Sequence, residues 1–242
     1  MKAIQIKSSV KYSQTPSIVV SFISLLLSSN LWAQADFTGY WESIMHEDTL
    51  FRTAGPPIGE YIGLPINDAA KAIAEKWDPN DGYKPENQCK MHGAAYIMRS
   101  PIRIFIENED DATISIKIEL EMGRERKIYL DGRTAPEGPP TDMGHSVGVW
   151  EGDMLTVTTT NMTEKYVRRN GVPNSEQAVM TEHFVRHSDY ITLISIIEDP
   201  VYLTEPLVRS VSYRKRNDEF KWVRYDCEVY EWPGGMPGAP VE

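Results

Sequence analysis

The chain has 242 residues, is 41% hydrophobic and 10% aromatic, and carries a formal charge of −10, which makes a soluble globular protein the default class. Residues 1–35 contain three Lys and no acid, so their removal leaves 22 basic and 35 acidic residues, a net −13 over 207 positions. Such a surface repels nucleic acid and anionic lipid headgroups, and no basic stripe with interleaved aromatics offsets it, so nucleic-acid binding is excluded as a reading.

The chain begins with a leader pattern. Lys2, Lys7 and Lys11 form a basic start, residues 18–27 (IVVSFISLLL) an apolar run, and Ala33-Gln34-Ala35 a small-x-small cleavage site. A signal peptide over residues 1–35 is expected, cleaved after Ala35, with a periplasmic or secreted product that has no membrane attachment afterwards. The apolar run is shorter than the roughly 20 residues of a membrane span, which disfavours the competing reading of an uncleaved anchor. No Cys follows the apolar run, which argues against lipoprotein processing. Residues 36–242 are expected to form a single β-barrel-like domain.

The mature chain opens Asp36-Phe37-Thr38-Gly39-Tyr40-Trp41-Glu42. Gly39 and Trp41 at the start of a β-like run resemble the entry pattern of lipocalin-like barrels, in which the Trp plugs one end. Residues 52–66, rich in Gly and Pro, read as an irregular arm. Asn67 is an N-cap candidate for an Ala-rich helix running to Trp77, ahead of Asp78-Pro79, and is expected to start the only substantial helix. Residues 80–88 read as loop leading into Cys89.

From Tyr96 onward the pattern is β. Residues 102–107 form a short strand candidate. Over residues 113–122, Ile114, Ile116, Ile118, Leu120 and Met122 share one face, while Thr113, Ser115, Lys117, Glu119 and Glu121 share the other, so one face should be buried and one wet. Residues 124–130 pair back, with Arg124 and Arg126 on the side of Ile128 and Leu130. An Arg there needs a carboxylate or a place at the barrel mouth, because an unpaired buried charge is costly. Arg126 is therefore a ligand-facing candidate, against the alternative of a rim Arg after a register shift.

Further strands are expected at 147–150, 154–160, 178–187, 190–198, 208–216 and 220–230. Turn signals separate them: Glu151-Gly152-Asp153, Ser188-Asp189, Asp199-Pro200 and Asn217-Asp218. The spacing points to a mainly β fold, an antiparallel lipocalin-like barrel or strongly curled sheet with one short N-terminal helix. No βαβ unit, P-loop or dinucleotide Gly motif occurs, and no cofactor is expected.

Asp131-Gly132-Arg133 followed by Gly144-His145-Ser146-Val147-Gly148-Val149-Trp150-Glu151-Gly152-Asp153-Met154-Leu155-Thr156-Val157 resembles a large family of exported, functionally uncharacterised bacterial proteins. Their signature runs DGR, a Pro-containing loop, then GxSxGxWEGDxLxV. Asp199-Pro200, Tyr202-Leu203-Thr204-Glu205-Pro206 and the late Tyr225-x-Cys227 also look like that family's pattern. The resemblance implies export and a shared fold, and no settled activity.

The two cysteines, Cys89 and Cys227, lie in a chain expected to be exported, which makes a disulfide the leading reading. In the chain-entropy model, closing so long a loop stabilises by about 3 to 5 kcal/mol. Two unpaired buried thiols or a reactive pair are the competing readings. Neither Cys sits in a CxxC or His-rich setting, so no metal site is expected.

Gly144-His145-Ser146-Val147-Gly148 spells the nucleophile-elbow motif of α/β-hydrolases. That chemistry requires a strand before and a helix after, whereas a turn and a Thr-rich strand follow here. His145, in a Gly-flanked loop, is a general-base candidate because its ordinary pKa near 6.5 suits proton transfer. The competing reading is a loop His bonded to backbone. His183 and His187 share strand parity at about 13 Å, too far apart to chelate one metal. Among the carboxylates Asp131, Glu182, Asp199 and Glu205, Asp131 and Asp199 also fit turn chemistry, and Glu151-Gly152-Asp153 fits a hairpin turn. Glu182 has the parity of Phe184, so an inward placement demands Arg126, Arg133 or Arg186.

Three functions compete. The first is a small-molecule-binding barrel enclosing a partly apolar ligand with a polar end, with Arg126, Arg133, His183 and Tyr202 as ligand-facing candidates. The second is an isomerase, lyase or hydrolase of small organic molecules with His145, Glu182 and Asp131 as catalytic candidates. The third is a structural or interaction protein of the envelope.

Overall fold

A computed structural model describes residues 34–47, 57–100, 102–119, 123–168, 170–219 and 221–230. Residues 1–33 of the leader expected over 1–35, part of the arm at 52–56, and the Leu120 and Met122 end of one expected strand lie outside the described residues. Nine strands close into a barrel in the order β1-β11-β10-β9-β6-β5-β4-β3-β2, so the fold is mainly β. They are β1 (Gly39–Ser43), β2 (Arg103–Asp110), β3 (Thr113–Ile118), β4 (Glu125–Tyr129), β5 (His145–Glu151), β6 (Met154–Thr160), β9 (Val179–His187), β10 (Tyr190–Glu198) and β11 (Leu207–Arg216). The short strands β7 (Lys165–Tyr166) and β8 (Pro173–Asn174) pair apart from the barrel.

The expectation of an antiparallel barrel needs one correction. β4 and β5 pair in parallel, Ile128 opposite Ser146 and Tyr129 opposite Val147. A parallel pair requires a crossover of about a dozen residues or more instead of a tight turn, and residues 130–144 supply it. Elsewhere the expected hairpins form, with Glu151 opposite Met154 across Gly152-Asp153 and His187 opposite Tyr190 across Ser188-Asp189.

Helix content also differs from expectation. The Ala-rich segment forms α1 (Asp68–Ala74), capped by the Asn67 side chain accepting from the Ala70 amide. Two more short helices follow, α2 (Pro85–Gln88) and α3 (Ala94–Ile97), with 3-10 turns at Met45–Glu47 and Pro79–Tyr83. Residues 80–88 are thus helical turns, not plain loop, because Pro79 and Pro85 each start a turn at a position where the missing amide costs nothing. The strand expected over 220–230 does not form. Residues 221–230 carry no regular structure and are held instead by a disulfide between Cys89 and Cys227 and by Gln88, which exchanges hydrogen bonds with the Tyr230 main chain.

Alternation places the core. Trp41, Ile104, Ile106, Ile114, Ile116, Ile118, Ile128, Leu155, Val157, Phe184, Leu193, Val211 and Tyr213 fill the barrel. Trp41 is fully buried and its indole N–H donates to the Phe37 carbonyl at 2.9 Å, which closes the end that the entry pattern marked. The opposite end is covered by α1, α3 and the β7–β8 hairpin, which pack Ala74, Ala95, Val167 and Val172 onto Met180, Ile197 and Leu207. One expected wet face is less wet than its pattern suggests. Thr113 and Ser115 are buried, Ser115 donates to Glu125 at 2.6 Å, and Lys117 lies over the Trp222 ring from the C-terminal segment.

Candidate functional site

The inward-facing positions of the barrel strands are not all apolar. Arg126 of β4 and Glu182 of β9 form an ion pair in the barrel interior, both with side chains at most 1% exposed. Arg126 also donates to Ser146 at 3.2 Å and to Thr159 at 2.8 Å, and these two hydroxyls lie 2.9 Å apart. Ser146 is therefore a buried hydrogen-bonding partner within a strand, and the GxSxG string has no nucleophile geometry. The pair answers the parity arguments for Arg126 and Glu182 together, and it occupies the interior where a ligand was expected to be enclosed.

The crossover places the remaining candidates on the outside. Residues 130–144 leave β4 and return along its outer face, where Glu125, Lys127 and Tyr129 alternate with the inward Arg126 and Ile128. The segment is anchored at Thr141, whose amide donates to Asn161 and whose carbonyl accepts from Thr163. Asp142 binds Arg124 at 2.8 Å, Thr163 at 2.8 Å and Lys165 at 3.3 Å. Burial pushes the Asp142 carboxyl up, but these partners outweigh it and hold the group below its ordinary value.

Between the crossover and β4 lies a cleft of about 720 Å³ whose walls include Tyr129, Arg133, Pro136, Pro139, Met143 and His145. His145 is the first residue of β5 rather than a loop residue, and it is 8% exposed. Its ring stacks on Tyr129 at 5.2 Å, and its Nε2 lies 2.9 Å from the Arg133 carbonyl. A carbonyl oxygen only accepts, so Nε2 carries the proton. The Arg133 guanidinium sits over the other aromatic partner, 4.4 Å from the Tyr129 centroid, and grips Asp131 at 2.6 to 2.9 Å. That guanidinium holds the Asp131 carboxyl down at about 2, so Asp131 is a weak base at neutral pH.

The site residues read from the sequence thus separate into four places. Asp131, Arg133 and His145 come together at the cleft. Arg126 and Glu182 are locked to each other in the interior, and the His145–Glu182 pairing required for acid-base chemistry in the barrel does not form. His183 faces outward from β9 with Nδ1 3.0 Å from the Thr156 hydroxyl. Tyr202 is buried near the covered end, its hydroxyl 3.2 Å from Glu164, where burial and then Glu164 push its pKa up. Asp199 acts as turn chemistry predicts, accepting from the Ser175 amide and hydroxyl and from the Val201 and Tyr202 amides. Among the described residues no group of three His, Cys, Asp or Glu side chains is placed to hold a metal ion.

Tyr129 and Lys127 were missed as site residues. Their outward parity next to Arg126 was readable, but nothing local says that a distant loop folds back over them.

No family model and no curated protein matches the chain. Among solved structures it is similar to the fluorescent protein UnaG. The wild type shares 15% identity over 74% of this chain and 97% of that one, with a TM-score of 0.33. Two UnaG mutants share 13% and 17% identity over 75% of this chain and 97% of theirs, with TM-scores of 0.35 and 0.34.

Proposed function

We propose that this protein is an exported small-molecule-binding barrel whose ligand lies in the outer cleft between β4 and the 130–144 crossover. The observation that carries the reading is the stacked pair Tyr129–His145 at the cleft floor, capped on the Tyr129 side by Arg133. An aromatic floor with Pro136, Pro139 and Met143 beside it suits a flat, partly apolar body. Arg133 offers guanidinium donors to the polar end of such a ligand, in exchange with or alongside Asp131. The cleft volume falls within the usual range for small-molecule sites, about 300 to 1,000 Å³. The leader pattern and the resemblance to an exported family support export.

The test is native mass spectrometry of the full chain expressed with its leader and purified from the periplasm. The expected species has lost residues 1–35 and retains a small molecule that is absent from Tyr129→Ala purified in parallel. An empty wild-type protein, or a ligand retained equally by Tyr129→Ala, would overturn the placement of the site. A mass that still includes residues 1–35 would overturn export by cleavage.

A further inference from the structure

The Cys89–Cys227 bridge lies beside the outer cleft. Both cysteines are half-buried, and they line a cleft of about 460 Å³ of their own, together with Met91, Gly123, Arg224 and Tyr225. An attacking thiolate therefore has a route to the sulfurs, which a bridge sealed in a core would deny it. Glu125 and Met143 line this cleft and also the larger one under the crossover. The two clefts share a wall.

The segment that the bridge fastens bears directly on the residues that hold the crossover. Residues 221–230 carry no regular structure, and the Val223 carbonyl packs so closely on Gly123 that a Cβ there would lie 2.3 Å from its oxygen. The next residue, Arg124, lines the bridge cleft and binds Asp142 of the crossover at 2.8 Å, with side chains only 21% and 24% exposed. Asp142 is followed by Met143, in the wall common to both clefts. The line of contact thus runs from Cys227 along the segment to Gly123, through Arg124 to Asp142, and so to the crossover. The noncovalent holds on the segment include Lys117 over the Trp222 ring and the Gln88 exchange with the Tyr230 main chain. Such contacts are individually weak beside a covalent bond.

We propose that the Cys89–Cys227 bridge is a redox-sensitive latch on the outer cleft. While oxidised it holds the C-terminal segment down on Gly123 and Arg124; reduction lets the segment lift and the Asp142 end of the crossover loosen. The co-reactant is a dithiol. One of its thiolates attacks a bridge sulfur, forming a mixed disulfide and releasing the other Cys as a thiolate. Its second thiol then displaces the remaining Cys, so two electrons pass to the bridge and the reductant leaves as its own disulfide. The two protons of the dithiol end on Cys89 and Cys227. Release of a bound molecule by this movement rests on the outer cleft being the ligand site, whereas the movement itself does not.

The test is amide NMR of the full chain before and after dithiothreitol, with the state of the bridge read from intact mass after alkylation. Amide positions of the native state report its structure and are indifferent to a general loss of stability. Reduction should shift the Gly123, Arg124, Asp142 and Gly144 amides along with those of 221–230, and leave the β9–β10 hairpin in place. Cys89→Ser with Cys227→Ser should show the same shifts without any reductant. In Arg124→Gln the link is cut, so reduction should still move 221–230 but no longer Asp142 or Gly144. A bridge that dithiothreitol leaves intact in the folded protein, shifts confined to Cys89 and 221–230, or an Asp142 response that survives in Arg124→Gln, would overturn the latch. Native mass spectrometry adds a second arm: the small molecule retained by the oxidised protein should be lost on reduction, and its retention would overturn control of the cleft. An oxidised protein that retains no molecule counts against the ligand site, and the amide shifts then decide the latch.

Discussion

At the scale of single residues, the two arginines on either side of the β4 end have opposite roles. Arg126 is enclosed with Glu182 in the barrel, and each retains one buried atom without a partner, Nη1 and Oε1. Removing one partner strands the other as a buried charge, so Arg126→Ala should lower the urea-unfolding free energy by about 3 to 5 kcal/mol. Replacing both by apolar residues, Arg126→Met with Glu182→Leu, should recover most of that loss; an Arg126→Ala variant as stable as wild type would contradict a closed ion pair. Arg133, by contrast, is exposed, and its effect appears as a titration. The folded Asp131 carboxyl is held down at about 2 from an ordinary 3.8, so its contribution to stability is present above the unfolded value and is lost as pH falls through the folded one. Carboxyl-carbon NMR should place Asp131 near 2 in the wild type and return it toward 3.8 in Arg133→Gln. An unchanged midpoint in that variant would rule out Arg133 as the cause.

At the scale of elements, the crossover of residues 130–144 makes the cleft, and its return point is Gly144. There φ is +62°, and an added Cβ would lie 2.6 Å from the Thr160 carbonyl. Gly144→Ala should therefore destabilise by about 1 to 3 kcal/mol, through both backbone strain and overlap with neighbouring backbone. Its thermal unfolding should shift while Gly132→Ala, which meets open space but shares the positive φ, shifts less. Equal losses in the two variants would show that φ alone sets the cost. Most strands were legible, because period-2 alternation over β3, β9 and β10 states which side is buried without reference to any partner. The inward parity of Arg126 and Glu182 followed from the same pattern. The parallel β4–β5 pairing was not legible, since alternation reports faces and is silent about strand direction. His145 at the head of β5 depended on that pairing, as did its stacking on Tyr129. The failed strand at 220–230 has the converse cause: its residues alternate, but they lie outside a barrel already closed by β1 against β2 and β11, so no edge was left for them.

At the scale of the whole molecule, the C-terminal segment is fastened across a sequence separation of 138. Opening that loop by Cys89→Ser with Cys227→Ser should cost about 3 to 5 kcal/mol in the chain-entropy model, read as a lower urea midpoint. The far-UV spectrum should remain that of the barrel, because the strands close without this segment; loss of the β signal would mean that the bridge is needed for the barrel itself. Composition, strand periodicity, turn residues and the two cysteines determined a mainly β, acidic domain and the inward faces of its strands. These are properties of local pattern and pairwise chemistry, which the chain states residue by residue. Barrel closure decided the rest: which carboxylate meets Arg126, that the interior is filled, and that the cleft lies outside under the crossover. Each depends on contacts between segments far apart in sequence, and no local preference encodes which distant surfaces meet.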